Sequence, residues 1–164
     1  LVFSGIYDVI MNNGNFVKLD TIKAYRFNKG ENRLDFRVIP NIRIKESVVK
    51  KENNAIVATF KLQYGHSIGQ VEKIALFAQS DKNPSNSFNL AHVDVNIESD
   101  NVNFENNSEN VNKVFTLILD LNSDEGKKLK AGQKYFFRIG ALPQKLGEGI
   151  QAKYNYSQVF EIQL

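Results

Sequence analysis

Apolar and polar residues alternate with a period of two along most of the chain, and no long segment carries the helical period. Side chains on a strand point to opposite faces in turn, so this pattern predicts strands with one packed and one solvated face. The first is Val2 to Ile10, closed by the turn residues Asn12, Asn13, Gly14 and Asn15. The second runs from Phe16 to Phe27, with Val17, Leu19, Thr21, Tyr25 and Phe27 on one face. Asn28, Lys29 and Gly30 turn the chain into a third, on which Leu34, Phe36 and Val38 alternate up to Pro40. Pro40 has no N–H for a sheet ladder and holds Ile39 extended, which suits a connection between two β-units. Three strands are too few to close a sandwich of their own, so Pro40 is the expected boundary between residues 1–39 and 40–164.

After Pro40 the set is complete. Ile42, Ile44 and Val48 share a face; Ile56, Ala58, Phe60 and Leu62 follow, then Ile74, Leu76 and Ala78. Phe88 to Ile97 is a weaker strand inside a long polar stretch, and Phe115, Leu117, Leu119 and Leu121 mark the next. Tyr135, Phe137, Ile139 and Ala141 then alternate against Phe160, Ile162 and Leu164. Seven strands in about 125 residues are the number and spacing of an immunoglobulin- or fibronectin-III-like antiparallel β-sandwich, so the fold class is all-β. Leu129, a turn at Gly132 and Tyr135 opening a strand add a second mark. A Tyr placed there lays its ring on the core and returns its hydroxyl to the backbone upstream, the tyrosine-corner arrangement. Tyr154 and Tyr156 share the parity of Phe160 and Ile162 and are expected on the same packed face. Asp124 to Lys130 has room for one short helical turn.

The runs Phe3-Ser4-Gly5-Ile6-Tyr7, Val38-Ile39-Pro40-Asn41, Tyr135-Phe136-Phe137-Arg138-Ile139-Gly140 and Tyr154-Asn155-Tyr156-Ser157 together resemble a two-domain surface lipoprotein family of Bacteroidetes. The resemblance covers nearly the whole chain, and its motifs are structural rather than catalytic. It implies a transthyretin-like (carboxypeptidase-regulatory-like) β-domain, of which residues 1–39 are the C-terminal part, followed by the fibronectin-like sandwich at 40–164. It implies that the full-length protein sits at the cell surface, held to the outer membrane by lipid on a Cys outside this chain. It also implies a place beside SusC/SusD-type outer-membrane pairs that take up glycans, with those proteins and glycan as expected partners.

Composition narrows the remaining choices. At 42% hydrophobic, 24% charged and 11% aromatic, with three Pro, the chain is that of a folded domain. Against 18 acidic residues stand 21 basic ones, and the net charge of +3 is too mild to predict a nucleic-acid partner. The Lys pairs Lys50–Lys51 and Lys127–Lys128 read as solvated positions, not as a stripe interleaved with aromatics. There is no Cys, hence no disulfide or thiolate chemistry. No apolar run approaches the roughly 20 residues of a membrane helix, so membrane contact is expected only through the external lipid anchor.

The residue types give no catalytic constellation. His66 and His92 lie far apart without further ligands at metal spacing, so no metal is expected. The tract from Asp94 through Asp100 to Glu105 offers oxygens but lacks the Gly and terminal Glu of a helical calcium loop, and reads as a solvated loop. No Gly-x-Ser-x-Gly elbow is present, and Gly147 and Gly149 precede no helix that would present amides to a phosphate. Asn106 and Asn155 match the glycosylation acceptor pattern, as an Asn-rich chain does by chance. Neither enzyme activity nor a cofactor is expected.

Aromatic residues carry the functional expectation. A pyranose is bound by laying its apolar face on a flat ring, framed by amides and carboxylates. Phe60, Phe115, Tyr135, Phe137 and Phe160 alternate inward and are core. Tyr64, Phe88 and Phe104 fall at strand ends or in polar loops among Asn, Gln and Asp, and these three are the candidate ligand-binding residues. The expected function is that of a non-catalytic surface module, accessory to polysaccharide binding and uptake. The alternative is a structural spacer or a protein-docking sandwich that offers an exposed strand edge and touches no glycan.

Overall fold

The structure is a computed structural model that describes residues 3–11, 15–65, 71–97, 113–144 and 152–164. The described strands are β1 (Gly5–Val9), β2 (Ile22–Phe27), β3 (Ile42–Glu52), β4 (Ala55–Tyr64), β5 (Val71–Gln79), β6 (Ala91–Asn96), β7 (Val114–Asp120), β8 (Lys134–Pro143), β9 (Asn155–Tyr156) and β10 (Phe160–Gln163). A 3-10 turn at Gly126–Lys128 sits where a short helical turn is expected. The fold is all-β and every strand pairing is antiparallel. One sheet has the order β3-β4-β7; the other runs β10-β8-β5-β6, with β9 also beside β8; among the described residues β1 and β2 pair only with each other. The seven strands expected after Pro40 are β3 to β8 and β10.

Inward alternation builds the core between the two larger sheets. Phe60, Phe137, Leu62, Leu76, Leu117 and Ile139 have at most 1% of their surface exposed, joined by Ile42, Ile56 and Leu119. Burying a side chain of this size contributes about 1.5–3 kcal/mol each before the entropy of ordering is set against it. Tyr135 is buried, and its hydroxyl accepts a hydrogen bond from the Lys130 backbone N–H at 2.9 Å, so the tyrosine corner is present. The side-chain amide of Asn155 in β9 donates to the carbonyl of Ile42 in β3, a hydrogen bond from one sheet to the other.

Three expectations from the alternation are corrected, the first of them by a break in register. The β3–β4 register shifts between Lys45 and Val48, where Glu46 takes a left-handed backbone (φ 48°). Val48 is thereby turned outward, half exposed, and Val49 takes its place in the core. In the second predicted strand Ala24 has φ 55°, and only Ile22 to Phe27 pairs with β1. The third predicted strand forms no ladder: Leu34 to Ile39 lies outside the strands, held by a Val17 N–H to Ile39 C=O bond of 2.8 Å and a bridge from Phe16 to Pro40.

Among the described residues before Pro40 none is buried, and Phe3, Ile6, Ile10 and Ile39 are more than half exposed. The join to the sandwich is close. A Cβ at Gly65 would lie 2.0 Å from the Pro40 carbonyl oxygen, and the Gly65 N–H donates to the Asn41 carbonyl at 3.1 Å. Only glycine permits that approach of backbone to backbone.

Candidate functional site

The strand period that sends Ile74, Leu76, Phe137 and Ile139 inward sends Ala75, Phe77, Arg138 and Gly140 to the outer face of the five-stranded sheet. Phe77 stands between His92 of β6 and Arg138 of β8, and Ala75 between Asp94 and Gly140. Beyond Gly140 comes Tyr156 of β9. Chemistry-bearing residues from four strands are thus set side by side outside the core.

Rings cover this face. Phe77 is only 2% exposed although it points away from the core. Tyr154 meets it edge-on, with ring centroids 5.5 Å apart and planes at 86°; Tyr156 lies at 6.2 Å and His92 at 6.4 Å. Tyr154 and Tyr156 are themselves stacked at 5.9 Å. Gly140 makes room for the arrangement: a Cβ there would come within 2.8 Å of Phe77 and 2.9 Å of Tyr154. The Arg138 guanidinium lies 4.7 Å from the centre of the Tyr156 ring, and its Nε donates to the Ser157 carbonyl at 2.9 Å. The Tyr156 hydroxyl accepts from the Asn86 N–H at 3.1 Å, which ties the β5–β6 loop to the cluster.

The polar groups around the rings are mainly acidic or already paired. Burial, then Asp94, Tyr156 and Glu72, push the Tyr154 phenol up to about 12. Asp94 is paired with Lys73 at 2.6 Å. At the far side of His92, Glu125 accepts the His92 backbone N–H at 3.0 Å and is bonded by Lys128. The Lys128 hydrogen bond chiefly holds the Glu125 carboxyl below its ordinary value, against the opposing effect of burial. Among the described residues no three His, Cys, Asp or Glu gather as metal ligands. Flat rings, phenol hydroxyls, an amide-rich loop and carboxylates suit stacking and hydrogen bonding to a polyhydroxylated ligand.

Tyr154 and Tyr156 are therefore not on the packed face, which corrects the parity expectation. Tyr156 pairs with Gly140 and Phe160 with Phe137, so the registers of β9 and β10 along the same edge of β8 differ by one residue. The extra residue lies between them, where the buried Ser157 takes part in the ladder: its N–H donates to the Ile139 carbonyl at 2.9 Å and its Oγ accepts the Ile139 N–H at 3.0 Å. A one-residue slip moves a side chain to the opposite face.

Of the three candidates expected from the sequence, Phe88 is 47% exposed, in a loop closed by two backbone hydrogen bonds between Ser85 and Phe88. Asn86 of the same loop is the one that reaches Tyr156. Tyr64 ends β4 opposite Ile42. Phe104 lies outside the described residues, as do His66 and most of the acidic tract. The sequence held two signals for the outer cluster: a Gly inside β8, and a run in β5, Ile74-Ala75-Leu76-Phe77-Ala78, apolar on both faces.

Comparison with known proteins accords with this architecture. The family model described as "Domain of unknown function (DUF3823_C)" matches residues 42–161. A solved structure of a "putative carbohydrate binding protein" from Bacteroides uniformis is 34% identical, with a TM-score of 0.78; the match covers 100% of this chain and 76% of that one. A DUF3823 family protein from Bacteroides uniformis matches at 18% identity and a TM-score of 0.71, covering 99% of this chain and 76% of that one. Another, from Parabacteroides merdae, matches at 20% identity and a TM-score of 0.66, covering 99% and 72%. At those identities the last two speak for the fold alone. No curated protein matches the chain. The sandwich from Ile42 onward places this chain in the DUF3823 family.

Proposed function

We propose that the chain is a non-catalytic module that binds glycan at the cell surface, through the outer face of the five-stranded sheet. The observation that carries this reading is the aromatic cluster of Phe77, Tyr154 and Tyr156 outside the hydrophobic core, with Gly140 giving the rings their room. The relative at 34% identity, whose name ties it to carbohydrate, supports the same ligand class. Phe88, exposed in the adjoining loop, is the sequence-expected residue proposed to edge this surface. In the full-length protein the module serves polysaccharide capture at the outer membrane, held there by lipid and working beside SusC/SusD-type proteins.

Affinity gel electrophoresis against a panel of plant and host polysaccharides tests the reading. At least one polysaccharide should retard the chain, and Phe88→Ala should weaken that retardation. Uniform mobility across the panel, together with capture of an outer-membrane partner by the full-length protein, would favour the docking alternative.

A further inference from the structure

Resting on that reading, we infer that the ring surface prefers glycans that contain uronate, the sugar carboxylate being taken by the open end of the Arg138 fork. Arg138 is half-buried and its place is fixed twice. Its guanidinium lies 4.7 Å from the centre of the Tyr156 ring, and its Nε donates to the Ser157 carbonyl at 2.9 Å. Those contacts hold the guanidinium beside the rings and leave both Nη groups without an acceptor among the described residues. Two N–H groups presented side by side match a carboxylate, which accepts two parallel, charge-assisted hydrogen bonds from them. Neutral glycan can stack on the same rings but has no group that takes both bonds with opposite charge.

Most other charges on this face are already matched. Asp94 is held by Lys73 at 2.6 Å, and Glu161 by Lys134 at 2.7 Å. Phe77 stands between Arg138 and His92, and His92 and Lys128 both face Glu125. Among the described residues Arg138 makes no ion pair, and neither does Lys153, exposed next to Tyr154 in the chain. Glu72 also makes none, and it is the weakest of the influences that raise the Tyr154 phenol, after burial, Asp94 and Tyr156. Two unmatched cations therefore stand against one unmatched carboxylate, and the cation fixed against Tyr156 is the one with hydrogen-bond donors to spare.

The test is calorimetric titration of the whole chain at physiological salt. The uronate polymers are polygalacturonate, alginate and hyaluronan; the neutral ones are a β-glucan, a galactomannan and fully methyl-esterified polygalacturonate, which keeps the backbone and removes the charge. At least one uronate polymer should bind, about tenfold or more tighter than any neutral one. Arg138→Gln should close that gap while neutral binding and the melting transition persist. Arg138→Lys, which keeps the charge but not the fork, should restore only part of it. Lys51→Gln removes the same charge from β3 in the other sheet and should leave the gap intact. Neutral binding equal to or tighter than uronate binding, a gap undiminished in Arg138→Gln or Arg138→Lys, or one lost as fully in Lys51→Gln would overturn the inference and leave glycan binding standing. No binding of either class would overturn both.

Discussion

Both faces of the five-stranded sheet bury a phenylalanine ring, but by different means. On the inner face Leu76, Phe137 and Ile139 are covered by the opposite sheet, in a layer that is apolar throughout. On the outer face Phe77 is almost as deeply buried, yet it lies under tyrosine rings, beside a guanidinium and next to a salt bridge. The inner face is constrained by volume: any apolar set that fills the space would hold the sheets together. The outer face is constrained by placement, since Gly140, the Arg138–Tyr156 contact and the Asn86–Tyr156 hydrogen bond each fix where a ring lies. Depth of burial does not by itself distinguish a core residue from one that supports a surface site. What covers the residue does.

The largest effect expected from breaking this contrast is on the inner face. Phe137→Ala should cost about 3–5 kcal/mol in chemical denaturation, the transfer loss plus the cavity left between the sheets. Gly140→Ala is the sharper test, because the two views of the outer face predict opposite signs. On a solvated face the change would stabilise a strand by about 0.5–1 kcal/mol. Here the added methyl meets Phe77 and Tyr154, so a loss of about 1–3 kcal/mol is expected, together with displacement of the Tyr154 ring. Tyr135→Phe leaves the Lys130 N–H without its acceptor and should cost about 1 kcal/mol with no effect on the outer face.

The smallest effect is electrostatic. Tyr154 should ionise near 12 against an ordinary 10, so an alkaline absorbance titration should show a late phenol that is missing in Tyr154→Phe. The sign follows from linkage: the unfolded chain loses this proton first. The contribution is therefore fully present below pH 10 and declines as pH rises from 10 towards 12.

How far the sequence could be read depended on register. Strict alternation in Ile56 to Leu62, Phe115 to Leu119 and Tyr135 to Ala141 sufficed for the core, and Leu129, Gly132 and Tyr135 announced the corner. Alternation carries no information about a single inserted residue. The shift near Glu46 moved Val48 outward, and the one between Tyr156 and Phe160 moved two tyrosines from the expected core to the outer face. Neither is marked by a glycine, which would have been the usual warning. The exposure of Phe88 was legible because its surroundings are polar and turn-rich; the outward placement of Tyr154 and Tyr156 was not, because their surroundings resemble a strand.

The central claim is that the outer rings form a binding surface, and the most direct measurement is a two-dimensional NMR titration of the whole chain with a neutral oligosaccharide. The account predicts shifts concentrated on Tyr154, Tyr156, Arg138 and Asp94, with the inner-face resonances of Phe137 and Ile139 unmoved. Shifts centred on the β3-β4-β7 sheet, or none at saturating ligand for every sugar that retards the protein in gels, would contradict it.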